Sequence, residues 1–509
     1  AKIESLPGAE TPVLMTSQRM LYERKQRWIR IEGGANLRRG EDWITARRIF
    51  GNLNDDETAL KFVHAFWDIR GEMRSITPVG GAATATRTRF NGQDLAVVFQ
   101  PEGNQARRVQ LEGKGDSRVT LESVAPGKTR TLTARRIEGL LAQGVLSNAE
   151  AFGGVDIREN SRVDGKTVTR QASGQRATAD FRPDGQIATA NLNMGVTYRD
   201  PQVTASGNRV ALEMDENRGE FFGSPVVITT DRGKVESPRV VYNTDQQIVH
   251  ARAGVKAVLQ KVEETALAGT PLSEGEGPVH VESQEAFWRQ EPSSFLFRGD
   301  VRAWRGENLL LAPELKGDKT ADQLTATGGE KTLWFPTEKQ AKGNNGKPAG
   351  QRPSMVQVVA REMNYQDQKG VLIYTGNVRV DQEGKTLACQ RLEVEMDDEH
   401  QAETMTCTGD TKVNDPKVGR GIEGQRAVYH VDRREVEVFG DPVVMSDKDG
   451  NQVRGRRALY YIDDGKMEVK GKDETAPAAT PAVTPTPTPA PTPATPQGTQ
   501  QQGTRGSGG

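Results

Sequence analysis

Four groups of residues in this 509-residue chain have types that could do chemistry. The run Gly419-Arg420-Gly421-Ile422-Glu423-Gly424 spells GxGxxG, a phosphate-cradling pattern when a strand precedes it and a helix follows. Here the flanks on both sides read as strands, so a nucleotide site is not expected. Glu393, Glu395, Asp397 and Asp398 could pair as catalytic carboxylates or bind calcium. Glu393 and Glu395 alternate with Leu392, Val394 and Met396, however, which is the pattern of a strand's solvent face. The Asp pair opens a turn. Cys389 and Cys407 are too few for a disulfide framework or a four-cysteine zinc site. His64, His250, His280, His400 and His430 are scattered, with no HExxH. No GxSxG elbow or P-loop is present. The expectation is a protein with no catalytic residues, no metal and no cofactor.

Composition narrows the class further. The net charge of -1 argues against general nucleic-acid binding. Hydrophobic residues make up 35% and charged residues 27%, lean for one large globular core but enough to line a thin, extended one. No apolar run approaches the ~18 residues of a membrane helix. The first residue, Ala1, is not Met, which fits loss of a leader or anchor, or a piece of a longer protein.

The elements that must position these residues read as strands. Val371, Ile373, Val378 and Val380 show alternation, as do Val436, Val438 and Val443, and turn residues follow every 10–15 positions. The best helical candidate, Asp55 to Phe66, reads equally well as a strand around a turn. Residues 261–278 read as a loop or linker and 336–353 as a long polar loop. Residues 472–509 hold 8 of the 26 prolines and read as a disordered Pro/Thr-rich tail. This leaves three strand-rich blocks, 1–260, 279–335 and 354–471.

One pattern repeats through all three blocks: apolar, any, small, any, charged, apolar, any, then apolar, aromatic or Gly. Its thirteen copies begin at Met15, Ile44, Phe90, Leu132, Ala172, Ala205, Val235, Val281, Leu310, Val358, Leu387, Ile422 and Val453. The charged position is Arg in nine of them, among them Arg48, Arg136, Arg239, Arg391 and Arg457. Eighteen residues after the start, seven copies carry Gly, against about 1.4 expected from composition, so the repeat is not an accident of register.

The pattern has a mechanical reading. Val358 and Ala360 share a strand face, yet the next apolar pair is Met363 and Tyr365, and the step of three breaks parity. A strand does this by bending or bulging, with a small residue where backbones crowd. The return strand is expected to break parity at Gly376, opposite Ala360. Stacked creased hairpins of about 30 residues then form a V-shaped, two-walled, all-β antiparallel structure. The arginine ladder belongs on the outer corner. In residues 354–471 the inward set reads as Met363, Tyr365, Ile373, Val378 and Val380; then Leu392, Val394, Met396 and Val413; then Tyr429, Val436, Val438, Val443 and Tyr460. Register from the turn at 398–401 sets Cys389 nearer Gly409 than Cys407, so free, packed thiols are expected.

These residues resemble the lipopolysaccharide-transport bridge family, the LptA/LptC and OstA-like periplasmic β-jellyroll proteins. The likeness is strongest over 354–471, in YTGNVRVDQEGKTLACQRLEVEMDDEHQAETMTCTGDTKV and VFGDPVVMSDKDGNQVRGRRALYYIDDGKMEVKG. It continues in FRGDVRAWRGENLLLAPELKG and, more loosely, in ARRIEGLL, ASGQRATADF and FFGSPVVITTDRGKVESPRVVYN. The resemblance implies an elongated open β-jellyroll, a non-enzymatic protein of the periplasm whose interior shields lipopolysaccharide acyl chains. The inward set above would then be the lipid-binding residues. It also implies end-to-end β-strand pairing with an inner-membrane exporter complex and an outer-membrane translocon. The chain departs from the family in holding several jellyroll lengths in one polypeptide. Two other readings stay open on the sequence: a structural or adhesive β-solenoid with a closed core, and a polysaccharide-acting β-helix enzyme, which would need a carboxylate cluster on one wall.

Overall fold

The computed structural model describes residues 2–4 and 13–470, apart from 58, 80–81, 102–104, 143–144, 164, 184–186, 244–245, 261–266, 268–269, 274–276, 290–292, 335–354, 398–401 and 463–464. The Pro/Thr-rich tail and the polar loop 336–353 lie outside the described residues, as does most of 261–278. Among the described residues, thirty antiparallel strands form one sheet. From Val145–Val163 to Met467–Lys470 each strand pairs with the next in sequence, so the topology is a long meander. The ladder continues across the two longest connections: Ile248–Leu259 pairs with Val279–Arg289, and Gln323–Trp334 with Val356–Gln366. The segment from Asp55 to Phe66 is a turn followed by strand Leu60–Val79.

The crease is real and recurs at one level of the sheet. Val359 pairs with Arg379 and Glu362 with Thr375, leaving two residues of one strand against three of the other. The same slip falls between Arg298 and Val301, between Thr327 and Glu330, and between Ala388 and Arg391. Most return strands make the bend with two successive residues in the left-handed region, such as Gly376 at φ 83° and Asn377 at φ 54°. Two return strands instead bend through cis Ser224–Pro225 and cis Asp441–Pro442. Crowding adds a second demand for glycine: a Cβ on Gly376 would lie 2.7 Å from the Arg361 Cβ.

One expectation about the crease needs correction. Only the outgoing strand breaks parity. The return strand holds the extra residue, so Leu372 and Tyr374 face inward before the bend, as Val378 does after it. Ile373 therefore lies on the outer face, between Asn364 and Glu393, and is not an inward residue.

The first residue past each bend points into the interior. This column holds Ala35, Ile69, Val155, Val196, Val226, Val255, Val301, Val378 and Val443, all buried, together with Glu330 and Thr411. A single apolar core runs from Ile31 to Val469 between the two walls. The repeat's arginines lie on the outer face, as expected, and several are braced by neighbours. Arg239 pairs with Glu220 and Arg457 with Glu437, and their guanidiniums sit over Phe222 and Phe439. Such half-exposed pairs contribute little individually, about 0–1 kcal/mol each.

Candidate functional site: the interior between the walls

The interior of residues 354–470 is lined from both walls. Met363, Tyr365, Val378, Leu392, Val394, Val413, Val436, Val438, Val443 and Tyr460 are buried there. Val380, Met396 and Tyr429 are partly buried and pack on the same core. Leu372 and Tyr374 belong to the lining too; the alternation around Gly376, read with the wrong parity, hid them. Glu393 and Glu395 face away, on the strand's outer side, as their alternation indicated. Among the described residues no cluster of His, Cys, Asp and Glu could hold a metal ion.

The walls touch. Neighbouring strands lie ~4.8 Å apart in a sheet, so strands two to four apart in the ladder are ~10–19 Å apart along it. Contacts between such strands must cross the interior. Tyr374 Oη donates to Thr332 Oγ1 over 3.4 Å, from strand Val371–Gln382 to Gln323–Trp334. Tyr460 Oη donates to Asp415 Oδ2 over 2.6 Å. At the rim, Lys385 Nζ donates to the Ile462 carbonyl over 2.9 Å and Arg420 Nη1 to the Gly465 carbonyl over 3.1 Å. The two edges of the V therefore meet at this end of the described chain. Leu267 and Leu272 are buried in the core, and Asn308 Nδ2 holds the Pro271 carbonyl over 2.8 Å.

A covalent link adds to these. Cys389 and Cys407 form a disulfide, with Cα atoms 5.9 Å apart. This corrects the expectation of free thiols. The two are indeed not register partners, since Cys407 pairs with Leu392. The bend between Ala388 and Arg391 tips the Cys389 wall toward the Cys407 wall, and the side chains meet inside the crease. A flat-sheet register misses this, because the fold in the sheet shortens a diagonal distance.

Two carboxyls stand inside. Burial alone would push Asp415 up, but hydrogen bonds from the Tyr460 hydroxyl and the Val418 amide, the Lys385 ammonium and the Lys417 amide outweigh it and hold its carboxyl below the usual range. Among the described residues no cation pairs with Glu330. Burial pushes its carboxyl up to about 8, against the weaker pull of the Thr332 hydroxyl. Sequence reading passed over both, since neither sits in a recognisable motif.

Residues 357–466 match the family described as LptA/(LptD N-terminal domain) LPS transport protein. This creased segment is the part that resembles that family. The matched segment begins with the strand of Met363 and Tyr365 and ends at the rim contacts of Ile462 and Gly465. Among solved structures, the chain is similar to LptH of Pseudomonas aeruginosa, described as the LptA-homologous periplasmic component of the lipopolysaccharide transport device. The identity is 16%, covering 32% of this chain and 82% of that one, with a TM-score of 0.18, too low to carry an argument. No curated protein sequence matches.

Proposed function

We propose that the chain is a non-enzymatic bridge that carries lipopolysaccharide across the periplasm, with its acyl chains held between the two walls. The observation that carries this reading is the coincidence of the LptA/LptD family match, residues 357–466, with a segment whose two walls enclose a continuous apolar interior. Exposing an acyl chain to water costs about 0.8 kcal/mol per CH₂, which an apolar lining removes while allowing the chain to slide. The partners are an inner-membrane exporter complex and an outer-membrane translocon, joined by strand pairing at the sheet ends.

The closed walls favour a second reading, a structural or adhesive β-solenoid. Tyr365, Met363 and Val438 are fully shielded from solvent, as a filled core requires. In the transport reading the rim contacts at Lys385 and Arg420 open to admit lipid. Photo-crosslinking separates the two. A crosslinker at Leu372 or Val394 should capture lipopolysaccharide in exporting cells, while one at outward-facing Ile373 or Glu395 should not. Capture at the outward positions alone, or at none, would sink the transport reading and leave the solenoid.

A further inference from the structure

The column of residues just past the crease is apolar in nine of its eleven unbroken return strands, and Thr411 in a tenth is satisfied by the Gln425 carbonyl at 3.3 Å. Glu330 is the exception. Its side chain is 0% exposed, and it sits opposite Ala360, with no ion pair among the described residues. One oxygen, Oε1, accepts a hydrogen bond from Thr332 Oγ1, which in turn accepts from Tyr374 Oη of the other wall. The second oxygen, Oε2, is buried without a partner. A repeat that places Val at this level in seven strands gains nothing in packing from a carboxyl. An unsatisfied buried polar atom costs about 1–3 kcal/mol, so its presence asks for a ligand.

We infer that Glu330, Thr332 and Tyr374 form a hydrogen-bonding station inside the acyl-chain conduit, which takes a hydroxyl group borne on an otherwise hydrocarbon chain. The inference rests on the transport reading above. The station spans both walls, so a chain lying between them passes within reach of Oε2. The carboxyl, kept protonated by burial, can donate to the hydroxyl oxygen or accept its proton, while the flanking Leu324, Ala326 and Met363 hold the plain methylenes. Such a station would retain a hydroxylated chain longer than a plain one without adding a charge to the conduit.

The test is binding of stearate and 12-hydroxystearate, below their aggregation limits, to the full chain and to Glu330→Leu. One neutral hydrogen bond predicts that wild type prefers the hydroxylated acid by about three- to tenfold. Glu330→Leu should abolish the preference and leave stearate binding at or above the wild-type level. Glu330→Gln, which keeps the shape and one donor, should retain part of it and serves if the leucine variant fails to fold. An unchanged preference in Glu330→Leu and Glu330→Gln, or no preference in wild type although stearate binds, would overturn the station and leave the conduit intact. Binding of neither acid to wild type would overturn the conduit, and the station with it.

Discussion

Tyr460 and Asp415 meet across the interior, hydroxyl to carboxylate over 2.6 Å, although their strands are three apart in the ladder. Both side chains are only 2% exposed. This contact, with Lys385 and Arg420 at the rim, is what shuts the V in the segment that matches the transport family. Tyr460→Phe should destabilise the chain by about 1.5–3 kcal/mol, the range for a hydrogen bond to a charged group. The pH dependence follows from the depressed carboxyl. Its contribution is fully present above the unfolded carboxyl's pKa and is lost as pH falls through the lower folded value. Denaturant titrations at pH 7 and in acid should show a shallower acid loss in Tyr460→Phe than in wild type. Parallel curves would mean that the contact does not hold the walls.

Glu330 predicts the opposite slope. Its folded pKa is raised, to about 8, so the native state binds a proton that the unfolded chain has released. Stability from this residue is therefore greatest below the unfolded pKa and falls as pH climbs toward 8, by on the order of 5 kcal/mol for a shift of this size. Tyr374, the titratable group that reaches it through Thr332, stays neutral across that window, since burial raises the Tyr374 hydroxyl further. Glu330→Leu should flatten the alkaline loss, measured by melting temperature from pH 5 to pH 9. An equal loss in the variant would place the titration elsewhere.

The crease makes a steric prediction. Gly376 and Gly450 both have positive φ, 83° and 84°, but only Gly376 is crowded; a Cβ on Gly450 meets nothing within 4 Å. Valine at either position strains the backbone, and at Gly376 it also collides with Arg361. Gly376→Val should thus cost at least 1–3 kcal/mol more than Gly450→Val, comparable to overpacking a core. Equal shifts in melting temperature would count against the creased hairpin.

The disulfide between Cys389 and Cys407 closes a short loop, 18 residues in sequence separation, across the bend. Such a link stabilises by about 3 kcal/mol in the loop-entropy account. The chain denatured without reductant should show no thiol that reacts with a labelling reagent. Cys389→Ala with Cys407→Ala should lower the denaturant midpoint. Two labelled thiols, or an unmoved midpoint, would contradict the bridge.

The repeat itself carried much of this structure. Ala360, Cys389 and Gly424 fall at the bend because only small side chains fit where backbones crowd, and that requirement is local enough to read from residue type and spacing. The same holds for the outer position of Glu393, Glu395 and the arginine ladder, since strand alternation assigns a face without knowing the partner. The alternation failed at Ile373, because which strand of a hairpin takes the extra residue depends on the register between strands. The cysteine pairing failed for a related reason: a folded sheet brings diagonal residues together that a flat one separates. What filled the interior was beyond sequence altogether. Met363, Val378 and Val438 suit an open groove or a closed core equally well by type. Only the tertiary structure, by carrying Tyr460 to Asp415 and Tyr374 to Thr332 across the walls, decided that the V is shut here, because contacts between strands that never pair leave no period in the chain.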